Sequence, residues 1–211
     1  MITLSATLSF IAVVGLLTLT PGMDTALILR TAAVGDTRRA WGVVTGIQTG
    51  TLAWGALTSA GVTALLTASH VAYEVLRWAG ACYLTWMGLT MLWSTLRRRG
   101  IAPDVPPEPT GDAFLPGWRR GALTNLLNPK VGAFYVALLP QFIPAGAPAF
   151  GAGLLLTAVH IGLGAVWSTV LVLLARRLRR ALQRPLARRV LDRITGTVIA
   201  GFGVRLALSD H

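Results

Sequence analysis

Long segments without a single charged residue dominate this chain of 211 residues. No Asp, Glu, Lys or Arg occurs in residues 2–23, 40–69, 78–96 or 131–175. Hydrophobic residues make up 54% of the composition, charged residues only 13%, and the mean hydropathy is +0.63. Too little polar surface is present to cover a water-soluble domain of this size. The sequence therefore predicts a membrane protein.

The uncharged segments predict an all-α, polytopic bundle of transmembrane helices, because about 20 apolar residues are needed to cross a bilayer. One domain, 1–211, would hold six spans, with residues 97–119 as a loop. The spans are expected roughly at residues 4–29, 40–68, 73–96, 120–143, 149–175 and 191–208. The last span is short and is interrupted by Arg205, so five spans is the alternative.

Arginine clusters predict the orientation. The net charge is +11, and 18 of the 19 basic residues are Arg, grouped between apolar segments rather than interleaved with aromatic residues as in nucleic-acid-binding proteins. Three basic residues follow span one, five follow span three and eight follow span five, which together are 16 of the 19. Since basic residues favour cytoplasmic loops, both termini are expected outside.

Three ionisable residues clearly qualify as intramembrane, where a charge is costly and usually functional: Asp24, Lys130 and His160. Lys130 would lie in the first turn of a helix and oppose its dipole, so it requires an anion, either Asp24 or a bound carboxylate. A static Asp24–Lys130 pair that only fixes packing is the alternative. For His160, a hydrogen-bonded core residue is the commoner role and a proton relay the rarer one.

Two prolines predict that the first and fourth spans are broken. Thr20 precedes Pro21 and Asn128 precedes Pro129, each a good N-cap residue followed by proline at the first helical position. Because spans one and four run in opposite directions, the two new helix N-termini would meet and form an anion site. Broken helices in corresponding positions of two halves predict an inverted 3+3 repeat with its substrate site at the breaks.

The predicted site therefore has two groups of residues. The substrate-binding group is Asp24, Lys130, Asn128, Pro21, Gly22 and Pro129. A surrounding group is Thr20, Gln48, Asn125 and His160, of which Gln48 and Asn125 are otherwise read as polar contacts between helices. Gly42, Gly46 and Gly50 share one helix face at a spacing that permits close helix approach.

Several segments resemble motifs of the LysE/RhtB superfamily of amino-acid exporters, and the likeness extends over nearly the whole chain. They are residues 20–29 (TPGMDTALIL), 76–84 (LRWAGACYL) with 86–88 (WMG), 125–130 (NLLNPK) and 139–142 (LPQF). The resemblance implies six hydrophobic segments in a bacterial inner membrane. It also implies export of amino acids such as lysine, homoserine, threonine, leucine or cysteine derivatives, driven by the proton motive force.

One motif departs from the family pattern, which is commonly Pro-Gly-Pro-Asn. This chain has Pro21-Gly22-Met23-Asp24, so it loses a proline that would stiffen the break and gains a charge. The change bears directly on which solute is carried.

Competing functions lack the residues that they need. An enzyme would require a nucleophile with a base, a carboxylate pair or a metal cluster, but the chain has one cysteine, Cys82, and three widely separated histidines. A thiol-redox carrier needs a second cysteine. Metal efflux, the closer alternative, would require several carboxylates that converge on the site, and only Asp24 is present there. We therefore expect no cofactor and no metal.

The expected partners are a small amino-acid-like solute, protons as the coupling ion and the lipid bilayer, without nucleic acid. A homo-oligomer is compatible with the sequence.

Overall fold

The computed structural model describes residues 4–33, 37–68, 70–96, 114–144, 146–175 and 185–208. This part of the chain contains helices and no strand, which confirms the all-α prediction. The helices are α1 (Leu4–Leu19), α2 (Met23–Ala33), α3 (Thr37–Ala68), α4 (His70–Leu96), α5 (Phe114–Leu126), α6 (Pro129–Ala133), α7 (Ala149–Leu173) and α8 (Pro185–Leu208). A π-helical turn, Phe134–Leu138, and a 3₁₀ turn, Leu139–Phe142, continue α6.

Both predicted helix breaks are confirmed. α1 ends at Leu19 and α2 begins at Met23, and the two axes differ by 53°. α5 ends at Leu126 and α6 begins at Pro129. A proline has no amide hydrogen and its ring crowds the preceding turn, so a helix cannot run unchanged through either position.

Helices α3 and α5 are parallel and touch backbone to backbone. A Cβ atom added at Gly42 would strike the carbonyl of Phe114, and one added at Gly46 would strike the carbonyl of Trp118. On the facing side, a Cβ at Gly121 would strike the backbone of α3. The predicted small-residue face is therefore confirmed as a close helix–helix contact.

Helix α7 runs antiparallel to α3. Gln48 of α3 lies against Gly164 of α7. Further along α3, Gly55 lies against Thr157 and Ser59 against Gly153, so the residue numbers on α7 fall as those on α3 rise. α8 packs against α4, where Gly88 lies against Ala200 and its neighbours. α7 also packs against both α1 and α2. Helix α3 thus lies between the second broken helix and α7.

Two apolar clusters fill the interior. The larger surrounds Phe10, Phe134 and Tyr135 and joins α1, α4, α7 and the π turn. The smaller joins α2, α3 and α7 around Ile28, Ile47 and Leu171. Large apolar side chains also cover the outside of the bundle, typical of a lipid-facing surface: Leu57, Val71, Trp86, Leu127, Leu155, Val166 and Leu173.

By length and apolar composition, α7 alone among the described helices is able to cross a membrane as one straight helix. α1 and α2 together are also long and apolar enough to cross a membrane, if the bent pair forms one span.

The helix bounds differ from the expected ones in two places. α5 begins at Phe114, so residues 114–119, expected in the loop, are helical, and residues 97–113 lie outside the described part. α8 begins at Pro185 rather than at residue 191, so its first two turns carry residues expected in the arginine-rich connector. Arginine is itself a good helix former, so a helix can begin before the apolar segment that is expected to cross the membrane.

Candidate functional site

Asp24 and Asn125 bring the two helix breaks together. Asp24 lies in the first turn of α2, and Asn125 lies in the last turn of α5. The Asn125 side-chain Nδ2 donates to Asp24 Oδ2 at 2.8 Å. The other carboxylate oxygen, Oδ1, is buried and has no hydrogen-bond partner among the described residues. A buried acceptor of this kind is costly to leave unpaired, and Oδ1 is able to accept a hydrogen bond from a bound group.

Lys130 closes the end of α1. Its Nζ donates to the carbonyls of Leu17 at 2.7 Å and of Thr20 at 3.0 Å, where Pro21 interrupts the helix. These carbonyls form the negative end of the α1 dipole, so they stabilise a cation. The sequence argument offered Asp24 or a bound carboxylate as the anion for Lys130. The structure shows a third partner for Lys130, the partly negative carbonyl groups at the C-terminus of α1.

The two predicted N-caps behave differently. Asn128 caps α6 as expected, since its side chain accepts from the Lys130 amide and proline occupies the first turn. Thr20 is not an N-cap, and that prediction is wrong. Its hydroxyl donates to the carbonyl of Leu16 at 2.7 Å, which keeps it attached to α1. α2 begins after Gly22, whose carbonyl accepts the first bond of the new helix, from Ala26.

Free amide groups are present at only one of the two breaks. Lys130 donates its amide to the Asn128 side chain at 3.1 Å, and Val131 and Gly132 donate to the Asn128 carbonyl. The prediction of free amides after Asn128 is therefore wrong. The amides of residues 23–25, in the first turn of α2, have no acceptor within the described segments. An anion would accordingly be bound at the start of α2.

His160 is hydrogen-bonded in the interior, as the commoner of its two predicted roles requires. Its Nδ1 lies 3.0 Å from the hydroxyl of Tyr135, and the two rings stack with centroids 5.7 Å apart. The Phe134 ring packs edge-on against His160 at 5.6 Å. Both aromatic residues belong to the π turn, which is frequent at functional sites. The sequence argument missed Tyr135, because no local pattern announces a π turn.

A cavity of about 70 Å³ lies where these residues meet. One water molecule needs roughly 10–15 Å³ on this measure, so the space holds about five or more waters. Eight of the ten predicted residues line it: Thr20, Gly22, Asp24, Gln48, Asn125, Asn128, Lys130 and His160. Pro21 and Pro129 set the breaks without lining it. The other lining residues are Leu17, Thr18, Thr25, Ile28, Ile47, Thr51, Val131, Gly164, Trp167, Ser168 and Leu171.

The model of the family described as LysE type translocator matches residues 14–210. The chain belongs to this family. This LysE type translocator is 30% identical to a leucine efflux protein of Enterobacter sp. (strain 638), covering 90% of this chain and 89% of that one. It is 30% identical to a homoserine/homoserine lactone efflux protein of Salmonella typhi, with 93% of each chain covered. It is also 30% identical to a threonine efflux protein of Salmonella typhi, with 99% and 100% covered.

No solved structure matches the chain. As a member of this family the protein is a membrane translocator and not an enzyme. Within the described residues, no group of three or more His, Cys, Asp or Glu side chains is placed to hold a metal ion. The cavity of the translocator instead offers one carboxylate with an unpaired oxygen, one ammonium and one helix N-terminus with free amides. This set suits a small solute with one charge of each sign.

Proposed function

We propose that this translocator is a secondary transporter that exports an amino acid or an amino-acid derivative across the bacterial inner membrane, coupled to the proton motive force. Three relatives named as efflux proteins for leucine, homoserine and threonine support the solute class. The observation that carries the proposal is the shared cavity of Asp24 and Lys130, each located at one helix break.

The solute binds as a zwitterion. Its ammonium lies at Asp24 Oδ1, the buried oxygen that has no partner in the described structure. Its carboxylate lies beside Lys130 and the amides of residues 23–25, at the positive end of α2. Each end of the solute then meets a group of opposite charge, so filling the site leaves neither protein charge uncompensated. Gly22, Asn128 and the two prolines hold the breaks open, and Asn125 fixes the carboxylate.

Six spans in an inverted 3+3 repeat form the framework of the transport cycle, with both termini outside. In this arrangement α1 and α2 correspond to α5 and α6, α3 corresponds to α7, and α4 corresponds to α8. The helix contacts support it, since α7 packs against the first broken helix as α3 packs against the second. The parallel α3–α5 pair and the antiparallel α3–α7 pair agree with helices that cross in alternate directions.

Solute binding is linked to movement through Lys130. In the empty cavity its ammonium is held by the carbonyls of Leu17 and Thr20, at the end of α1. A bound carboxylate competes for that ammonium and releases the end of α1, and the bend between α1 and α2 then changes. The occupied and empty carriers therefore favour different arrangements, as alternating access requires. Asp24 carries the coupling proton when the ammonium is absent.

The test uses purified protein in vesicles loaded with leucine, threonine or homoserine, with efflux measured with and without a proton gradient. Asp24→Asn, Lys130→Met and the double variant are compared at equal amounts of inserted protein. We expect both single variants to lose efflux and the double variant to stay inactive. Near-normal efflux by the double variant would mean that the two charges serve only to stabilise the fold. Absence of amino-acid efflux from the unaltered protein would overturn the proposed function itself.

A further inference from the structure

The cavity extends past the charged groups into an apolar end formed by α2, α3 and α7. Ile28 lies one helical turn beyond Asp24 on the same face of α2, about 6 Å further along the axis. Ile47, Trp167 and Leu171 line the cavity at the same end. Three of these residues belong to the smaller apolar cluster, and Trp167 packs against it.

The register of α3 and α7 gives the order of residues along this end. Gln48 faces Gly164, and Leu171 follows seven residues later on α7, about 10 Å further along the axis. His160 lies about one turn before Gly164, at the charged end of the cavity. The cavity therefore carries its charges near the breaks. Along α7 it is mostly apolar, with the Ser168 hydroxyl and the buried Trp167 Nε1 as its polar groups.

Charged residues are confined to one end of the cavity. Asp24 and Lys130 are the only charged side chains among the described residues that line it, and both lie at the helix breaks. An ammonium, guanidinium or carboxylate on the solute's side chain would face Ile28, Ile47 and Leu171 without a counter-charge. Burying an unpaired charge is strongly unfavourable, so the apolar end excludes such solutes.

Gly164 keeps the passage between the two ends open. A Cβ atom at this position would lie 3.1 Å from Gln48 Nε2 and 3.2 Å from Gln48 Oε1, tighter than an ordinary contact. The amide of Gln48 is the flexible end of its side chain, so a substitution is tolerated by a small shift. The added methyl group would occupy space that the cavity now provides.

On these observations, and resting on the proposed function, we propose that the exported solute is an α-amino acid with an uncharged aliphatic side chain. Its amino and carboxylate groups occupy the charged end, and its side chain lies between α2, α3 and α7. Gly164 and Gln48 set how large a side chain is admitted. Leucine, valine and isoleucine fit this description, whereas lysine, arginine and glutamate do not.

The experiment compares Gly164→Ala with Gly162→Ala in reconstituted vesicles. Gly162 is on the same helix, but a Cβ atom there meets nothing within 4 Å, so it is a matched control. Efflux of labelled leucine, alanine and lysine is measured for each protein. We expect unaltered protein and the control to export leucine at least about 10-fold faster than lysine, a ratio within the range that a side-chain pocket provides. Gly164→Ala should lower the leucine-to-alanine ratio about 10-fold.

A second variant enlarges the same end. Ile28→Val removes one methylene group. The ratio of leucine efflux to alanine efflux should therefore rise by a few-fold. Equal ratios in Gly164→Ala and Gly162→Ala, or lysine efflux as fast as that of leucine, would overturn this assignment while leaving amino-acid export intact. Failure of the unaltered protein to export any of the three would instead contradict the proposed function.

Discussion

Asn125 donates a 2.8 Å hydrogen bond to the Asp24 carboxylate and thereby joins two broken helices that are 101 residues apart in the sequence. The backbone carbonyl of Asn125 is itself an acceptor for the Trp54 indole, at 3.4 Å. Asn125 is 1% exposed, so its side-chain amide is held in the interior beside the carboxylate. The position of the Asp24 carboxylate therefore depends on a residue of the other half of the chain.

Asn125→Leu is expected to abolish efflux and to lower the melting temperature in detergent, because Asp24 Oδ2 loses its donor and neither carboxylate oxygen then has one among the described residues. The cost of one buried unsatisfied group is about 1–3 kcal/mol, and more for a charged one. Gln141→Leu is the matched control, since within the described residues the Gln141 amide donates to the nearby Ala137 carbonyl in the preceding turn and not to the other half of the chain. Equal effects of the two substitutions would contradict a special role for Asn125.

Lys130→Met is expected to destabilise the protein as well as to stop transport. The variant loses two hydrogen bonds from a charged donor, and the carbonyls of Leu17 and Thr20 at the α1 terminus lose the ammonium from which they accept. A loss of about 2 kcal/mol or more is expected, because bonds to charged groups contribute roughly 1.5–3 kcal/mol each. The measurement is thermal unfolding of the purified protein in detergent. An unchanged melting temperature would show that Lys130 does not hold the end of α1.

Gly46→Ala is expected to prevent normal accumulation in the membrane. The added Cβ would overlap the carbonyl of Trp118, and this backbone contact cannot be relieved by rotating a side chain. Gly61→Ala serves as the control, because Gly61 lies on the same helix with nothing within 4 Å of an added Cβ. The measurement is the amount of each variant in membrane fractions, compared with the amount of the unaltered protein. Normal amounts of Gly46→Ala would disprove the close α3–α5 contact.

Tyr135→Phe is expected to lower the melting temperature by removing the hydroxyl that pairs with His160 Nδ1. The ring stack is retained, so the effect reports on the hydrogen bonds of the hydroxyl, to His160 and to the Thr157 side chain, at a cost of about 1–3 kcal/mol. Tyr83→Phe is the comparison, because the Tyr83 side chain is exposed on α4. If both variants unfold at the same temperature as the unaltered protein, the pair does not stabilise the bundle.

A reporter that is active only in the cytoplasm, fused after His211, is expected to be silent. The prediction follows from the 16 basic residues in the three connectors assigned to the inside. A second reporter, which is active only outside the cytoplasm, is fused at the same position as the control for expression. Cytoplasmic activity at this site would favour five spans, with the segment around Arg205 lying at the interface.

Features encoded by a few neighbouring residues could be predicted from the sequence. The break at Asn128-Pro129 and its side-chain cap follow from the chemistry of two adjacent residues. The same reasoning placed the first break correctly and its cap wrongly. Thr20 is able to bond either forward to a new helix or back to Leu16, and two adjacent residues do not decide between the two directions.

Features that depend on distant contacts were not predictable. Lys130 is separated by more than 100 residues from the carbonyls that accept its bonds. The pairing of Tyr135 with His160 requires a π turn inside a uniformly apolar segment, where periodicity gives no signal. The apolar end of the cavity combines residues of α2, α3 and α7 that each resemble ordinary core positions.

The glycine contact between α3 and α5 has a consequence for biosynthesis. When the ribosome has completed the first 96 residues, the flat face of α3 at Gly42, Gly46 and Gly50 still lacks the helix that covers it. That helix starts at Phe114, so the amino-terminal half remains an open assembly intermediate until the carboxy-terminal half is inserted. Fragments 1–96 and 114–211 should accordingly escape proteolysis only when a cell makes both together.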